Sequence, residues 1–212
     1  MLNNIFNFPG INKLSPLKYQ PVPEPARELK FNVSHPNVIY DLAVSIRNIV
    51  QTATTDGYEL VVLCIGTDRS TGDALGPLTG TKLKMLNLFP HIYGTLDEPV
   101  HATNLESRLA SINTSFSHPF VIAVDACLGK LENVGCVTLG HGAVKPGAAV
   151  NKDLPAVGNA YITGIVNVGG FVNVGGFMEH MVLQSTRLNL VMKMADTIAH
   201  SISFGLGRNH NS

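Results

Sequence analysis

The chain has 212 residues, with 15 basic and 15 acidic side chains and a formal net charge of zero. This balance lacks the basic excess of nucleic-acid-binding proteins, so we expect no nucleic acid partner. The length is enough for one domain with a full hydrophobic core. Charged residues make up only 14% of the chain, which leaves few charges on the exterior and favours a homo-oligomer.

Three cysteines, Cys64, Cys127 and Cys136, lie in or beside apolar runs without paired spacing. This usage is typical of a reducing compartment and argues against a disulfide scaffold or a Cys-x-x-Cys zinc site. No signal segment opens the sequence, and no apolar run approaches the roughly 18 residues of a membrane span. We therefore expect a cytoplasmic protein without a membrane partner.

Hydrophobic periodicity divides the chain into three parts. Five prolines and little periodicity predict an extended N-terminal arm over residues 1–34, followed by a single domain over 35–205 and a flexible tail over 206–212. Alternating strands and helices in the domain predict a mainly parallel sheet with helices on both faces. The predicted elements are a helix ending near Thr54, strand 60–65, helix 72–89, strand 91–96, helix 102–113, strands 120–126, 134–140 and 161–168, and one long helix over 177–202.

A six-residue repeat precedes the last predicted helix. The segment Val-Asn-Val-Gly-Gly-Phe occupies residues 166–171 and recurs at once over 172–177. Six residues are too few for a solenoid unit. Either one copy extends the strand while the other enters the loop, or the duplication lengthens the loop, and the sequence does not select the copy that keeps the strand register.

Two aspartates lie in short polar or glycine-containing segments that directly follow apolar runs. Asp73 lies in the loop after strand 60–65, and Asp125 comes directly after the apolar residues of the 120–126 strand. Because ligands and catalytic groups of open α/β sheets collect at the carboxyl ends of parallel strands, we expect the two acids to share an edge. Asp73 alone is explained as a helix-dipole carboxylate. Asp125 is less easily explained, because a buried acid must be paired, protonated or metal-bound.

Two kinds of chemistry remain open for this pair. A shared proton would let one carboxyl act as a base toward water and the other as an acid. Alternatively, a divalent metal would bind to the pair together with a third side chain, with Asp73, Asp125 and His141 as the metal candidates. A nucleotide site is excluded, because no glycine fingerprint for phosphate is present. The supporting candidates at the same edge are Asp68, Glu98, His101, His141 and Glu179.

Three segments carry a family resemblance. Residues 66–77, 93–105 and 124–129 are similar to the YyaC-type sporulation proteins, the DUF1256 family of endospore formers, and the likeness covers roughly 35–204. That family resembles the spore germination protease and, more distantly, the hydrogenase maturation proteases. The germination protease takes its two catalytic aspartates from Asp-Ala-Leu-Gly-Pro and Ile-Asp-Ala segments, which match residues 73–77 and 124–126 here.

The resemblance implies a phosphorylase/hydrolase-like three-layer α/β sandwich and an aspartic-type endopeptidase of the forespore or spore interior. Asp73 and Asp125 would cut a protein or peptide substrate, with Asp68 and His141 tuning them. No cofactor is required, although a divalent metal is compatible. Ala74 stands where hydrogenase proteases usually place a glutamate ligand, so nickel sensing is not implied. The rivals are a non-catalytic spore protein that binds a peptide or partner, and a metal-dependent hydrolase.

Overall fold

The computed structural model describes residues 28–86, 91–147, 154–170 and 177–207. Within these ranges the chain forms six strands, five α-helices and a short 3-10 turn. In chain order they are β1 (Leu29–Asn32), α1 (Val38–Thr55), β2 (Glu59–Cys64), α2 (Leu75–Leu86), β3 (Ile92–Tyr93), α3 (Leu105–Ser115), β4 (Pro119–Gly129), the 3-10 turn (Leu131–Asn133), β5 (Cys136–His141), β6 (Ala160–Val168), α4 (Phe177–Gln184) and α5 (Leu188–Leu206).

The strands form one mixed sheet in the order β1-β5-β6-β4-β2-β3. The pairs β2 with β3, β2 with β4, and β4 with β6 are parallel. Only β5 runs in the opposite direction, because it pairs antiparallel with both β6 and β1. The predicted mainly parallel sheet is confirmed, and the carboxyl ends of β2, β3, β4 and β6 meet at one edge of it.

Helices cover the sheet on both faces. Ile122 and Val124 of β4 pack into one core with apolar residues of α1, α2 and α5. Val121 and Ala123 of the same strand pack on the opposite face with α3, through residues such as Leu105. This division follows from the alternation of side chains along a strand. The predicted three-layer sandwich is confirmed, and the odd-numbered positions of β4, including that of Asp125, belong to the α3 face.

The domain begins earlier than the sequence predicts. Residues 29–32 belong to the predicted arm, yet they form β1 and pair with β5. The Tyr161 hydroxyl donates a hydrogen bond to Glu28 at the start of this edge strand. The Tyr161 ring lies against Gly140, where any side chain would collide with it. The rest of the predicted arm, residues 1–27, and the tail residues 208–212 lie outside the described residues.

The long predicted helix over 177–202 is wrong, because the chain breaks it into α4 and α5. The hydroxyls of Ser185 and Thr186 both donate to the Val182 carbonyl, at 3.2 and 2.9 Å. Side-chain donors of this kind compete with the backbone and let a helix end. Arg187 then takes an extended conformation, with φ of −70° and ψ of 114°, and α5 starts after it.

Other element boundaries move by a few residues. Helix α2 begins at Leu75 rather than at residue 72, and residues 87–89 of its predicted end lie outside the described residues. The first copy of the repeat keeps the strand register, since β6 runs to Val168. Residues 171–176, which hold nearly all of the second copy, lie outside the described part of the chain.

All three cysteines are free, as their spacing predicts. None of the helices in the described ranges combines the length and the apolar character needed to cross a membrane.

Candidate functional site

The loop after β2 places Asp73 against the end of that strand. Gly66 has a φ of 146°, a conformation that favours glycine. A Cβ at Gly66 would lie 2.0 Å from the carbonyl oxygen of Asp73. The Thr67 amide also donates to this oxygen, at 3.2 Å. The backbone of Asp73 is therefore packed directly on the first residues that follow the strand, and only glycine fits there.

The residues after Asp73 hold helix α2 against the sheet. A Cβ at Gly76 would lie 2.0 Å from the carbonyl oxygen of Ile65, so the helix backbone touches the strand backbone. Ala74, Leu75 and Pro77 are buried. The apolar part of the Asp-Ala-Leu-Gly-Pro segment thus has a packing role, and Asp73 is its only ionisable member.

Strand β4 brings Asp125 beside this loop. Cys64 pairs with Val124 in the parallel register of β2 and β4. The next amide along, that of Ile65, donates to the Val124 carbonyl at 2.7 Å. Gly66 follows Ile65, and Asp73 packs on Gly66. The register therefore brings the Asp73 loop alongside Asp125, as the strand-end argument predicts.

The two carboxyl groups interact electrostatically. The pKa of Asp125 is raised from 3.8 to about 8, mainly because burial disfavours the charged carboxylate, and the charge of Asp73 contributes to the increase. The Ala126 amide opposes both effects, since it donates to Asp125 Oδ1 at 2.9 Å. At neutral pH Asp125 therefore holds its proton while a second carboxylate lies close enough to act on it.

Thr163 and Cys127 surround Asp125, and the sequence alone did not identify them as its neighbours. Thr163 is the β6 partner of Asp125 in the parallel register, and it hydrogen-bonds to the Cys127 side chain. Burial raises the pKa of Cys127 to about 11, and the charge of Asp125 contributes to the increase. The thiol is therefore protonated at neutral pH and is a poor nucleophile. Thr163 could be found only from the strand register, which the sequence does not specify.

Helix α4 packs on the other end of the Asp73 loop. The Gly72 amide donates to the Leu183 carbonyl at 2.8 Å. Asn167, near the end of β6, donates through Nδ2 to the Val182 carbonyl at 3.1 Å and to Thr186 Oγ1 at 3.3 Å. These three contacts connect the loop of Asp73 to the strand that pairs with β4. Neither Asn167 nor Gly72 is among the predicted site residues.

Glu179 lies on α4 one turn before Leu183, and therefore on the same face of the helix. Its Oε2 atom and the Oγ atom of Ser70 are inaccessible to solvent and have no hydrogen-bond partner within the described residues. Buried polar atoms of this kind usually bind an ordered water. Glu179 therefore lies on the face of α4 that carries Leu183, whose carbonyl accepts the hydrogen bond of the Gly72 amide.

Glu98 and His101 lie in the loop after β3, which reaches the same edge of the sheet. The Gly66 amide donates to the carbonyl of Val100 at 2.8 Å. The Glu98 side chain is exposed, and the His101 ring contacts Thr103 Oγ1 through Nδ1 at 2.9 Å. The backbone around these two residues borders the Asp73 loop, as predicted.

The remaining supporting residues lie farther from the pair. Asp68 is in the Asp73 loop, but its side chain is exposed. His141 is at the end of β5, where it pairs with Ala160 at the start of β6. Asp125 pairs with Thr163, three positions further along β6. The prediction that His141 shares the edge of the pair is wrong, because β5 is antiparallel and ends at the opposite side of the sheet.

Within the described residues, the side chains do not form a three-membered metal site. Across residues 28–86, 91–147, 154–170 and 177–207, no cluster of three or more His, Cys, Asp or Glu side chains could hold a metal ion. The candidates Asp73, Asp125 and His141 do not converge, because His141 is displaced to the other side of the sheet.

Fold and site together define a three-layer α/β protein with a partly buried carboxyl of raised pKa beside a second carboxyl group, where the carboxyl ends of the parallel strands meet. The family model for a protein of unknown function (DUF1256) matches residues 30–201. The chain belongs to this family, which confirms the resemblance to the DUF1256 family that its motifs indicated. It is also 56% identical over 148 residues to the uncharacterized protein YyaC of Bacillus subtilis (strain 168), an alignment that covers 69% of each chain.

Proposed function

We propose that the protein is an aspartic-type endopeptidase whose catalytic residues are Asp73 and Asp125. The observation that carries this proposal is the pKa of Asp125, raised to about 8 by burial and by the charge of Asp73. A general acid works best when its pKa lies near the working pH. Two neighbouring carboxyls with different protonation at neutral pH supply an acid and a base together.

In this mechanism the Asp73 carboxylate accepts a proton from a water molecule as its oxygen attacks the peptide carbonyl carbon. Asp125 then donates its proton to the amide nitrogen, and the carbon–nitrogen bond breaks to release a carboxylic acid and an amine. Transfer of the proton from Asp73 back to Asp125, directly or through solvent, restores the starting state. The steps use only the two carboxyl groups and water.

The family resemblance supports a protein substrate within the forespore or spore interior, and therefore a sporulation-associated role in a cytoplasmic compartment. A metal-dependent hydrolase remains the alternative chemistry for the same pair. Elemental analysis of the purified protein, before and after dialysis against a chelator, distinguishes the two mechanisms. The proposed two-carboxyl mechanism predicts that cleavage activity survives removal of any bound metal, whereas a metal-dependent hydrolase would lose it.

The test is incubation of the protein with forespore extract, followed by peptide mapping. We expect new cleavage products with wild type and none with the Asp73→Asn, Asp125→Asn double variant. Asp56→Asn is the matched control, because Asp56 is exposed in the turn after α1 and the change removes the same charge. Products that persist at the wild-type level in the folded double variant would sink the proposal.

A non-catalytic role in partner binding is the second candidate, and one surface feature favours it. Tyr40 and Val44 of α1 and Phe204 of α5 are 71%, 37% and 56% exposed, and they line one groove on the helical layer. An apolar patch of this kind is typical of an interaction surface. Under this alternative, wild type and the double Asn variant retain the same partner from the extract and give identical peptide maps.

A further inference from the structure

We propose that Asn167 and helix α4 form a positioning clamp that holds the Asp73 loop at a fixed distance from Asp125. The clamp consists of the tether from Asn167 to α4 and the contact of α4 with Gly72. The Asn167 side chain hydrogen-bonds to Val182, Thr186 and the Val168 amide, so it is assigned as a positioning residue. Its expected effect on catalysis rests on the proposed peptidase function, whereas its effect on the geometry of the pair does not.

The tether begins at an irregularity between β4 and β6. The parallel register shifts between Cys127 and Leu128, so that Leu128 pairs with Asn167 rather than with Val166. Bulges often redirect a side chain at the end of a strand. The Asn167 Oδ1 atom accepts its neighbour's amide, that of Val168, at 2.9 Å, which orients the side-chain amide. Nδ2 is then directed to α4 and its two acceptors.

The contact with Gly72 is close on several sides. A Cβ at Gly72 would lie 2.8 Å from Leu183 Cδ2, 3.1 Å from the Leu183 carbonyl oxygen and 3.1 Å from Thr186 Oγ1. Thr186 is also an acceptor of the Asn167 tether. The last turn of α4 and Thr186 just after it are therefore pressed against the residue before Asp73 and hydrogen-bonded to β6.

This arrangement gives the Asp73 loop two anchors. Gly66 and Thr67 fix the Asp73 backbone to the end of β2, and α4 fixes Gly72 relative to β6. Strand β6 pairs directly with β4 at Asp125. The second anchor therefore fixes the position of the Asp73 loop relative to the strand that carries Asp125. Loss of either half of the clamp should let Asp73 shift relative to Asp125.

The experiment compares Asn167→Ala, which removes the tether, with Gly72→Ala, which adds bulk at the contact. Asn189→Ala on the exposed side of α5 is the control. The first readout is the titration midpoint of the Asp125 carboxyl, followed by carbon NMR. Moving like charges about 2 Å further apart at short range lowers the pKa by about 0.5. We expect the Asp125 midpoint to fall by this amount in Asn167→Ala and to be displaced in Gly72→Ala. We expect no change of the midpoint in the control.

The second readout is the rate of peptide cleavage. A displacement of about 1 Å can reduce a catalysed rate about 10²-fold, so we expect the loss in kcat with KM little changed. A merely structural role would lower the melting temperature without moving the midpoint of the folded protein. Unchanged midpoints in both variants would overturn the clamp even if wild type is a peptidase. A displaced titration midpoint of Asp125 supports the clamp even if wild type cleaves no peptide. If Asn167→Ala fails to fold, Gly72→Ala provides the test, because it keeps Asn167.

Discussion

The negative charge of Asp73 raises the pKa of Asp125, although the two residues belong to different strand–loop units of the fold. The effect requires the loop after β2 to reach the α3 side of β4, and the close packing of Asp73 on Gly66 provides this. Burial remains the larger cause of the raised pKa. The pair thus combines one partly buried carboxyl of raised pKa with a second carboxyl whose charge contributes to that increase.

Replacing Asp73 by Asn should lower the pKa of Asp125 below about 8 but leave it well above 3.8, because burial is the first cause and Asp73 a lesser one. Carbon NMR of the Asp125 carboxyl across pH 3 to 10 measures the midpoint (about one point per 0.5 unit suffices). Asp56→Asn serves as the control for removal of a distant charge. An Asp125 midpoint that stays at its wild-type value in Asp73→Asn would show that the two groups do not interact.

Replacing Asp125 by Asn should stabilise the protein at alkaline pH. The folded protein binds the Asp125 proton between pH 3.8 and about 8, whereas the unfolded chain releases it. Stability therefore falls as pH rises through this window, and the loss is complete above the folded pKa. Asparagine has no proton to lose, so the variant should gain a few kcal/mol over wild type at high pH and much less at low pH.

Urea unfolding of both proteins at a pH below 4 and at a pH above 8 measures this difference. Asp73 is the charged group that acts on Asp125, Cys127 is a titrating group on which Asp125 acts, and both are kept in the variant. An equal gain at the two pH values would point to packing or hydrogen bonding instead, and would contradict ionisation as the origin of the effect.

The cleavage rate should fall as pH rises through about 8, because Asp125 then loses the proton that it donates to the leaving amine. A profile of kcat/KM against pH on a peptide identified by the mapping experiment gives the midpoint of this limb. Its agreement with the NMR midpoint of Asp125 in the same protein would assign the acid. A rate that continues to rise above pH 9 would assign the acid's role to another group.

Gly76→Ala should destabilise the fold by about 3 kcal/mol or more, as overpacking at a backbone contact does. The added methyl carbon would lie 2.0 Å from the Ile65 carbonyl oxygen and would force α2 away from β2. Lys84→Ala, at an exposed position of the same helix, is the control and should change the free energy of unfolding by less than about 0.5 kcal/mol. Equal stabilities of the two variants would refute this close contact.

The position of the carboxylate pair was predictable because parallel strands direct their carboxyl ends to one edge. Two other features were not. A short apolar strand has the same pattern in either direction, so His141 at the end of β5 could not be assigned to a side of the sheet. Apolar spacing continues across residues 185–187, and it is the hydroxyls of Ser185 and Thr186 that end α4 there.

The clamp residues were hidden for a related reason. Asn167 lies in a repeated segment, and its role depends on the register shift against β4. Gly72 resembles an ordinary loop glycine until Leu183 and Thr186 are placed against it. Contacts between elements distant in sequence decide both roles, and periodicity describes only neighbours along the chain.

The close approach of Gly76 to Ile65 affects how matches to the Asp-Ala-Leu-Gly-Pro segment should be used to assign activity. Four of its five positions are occupied by residues that seat a helix on a strand. A related protein without catalytic activity would still need these four residues to fold. Within this segment it would differ from an active enzyme only at the aspartate. Transfer of a peptidase assignment between relatives should therefore depend on the two acids themselves.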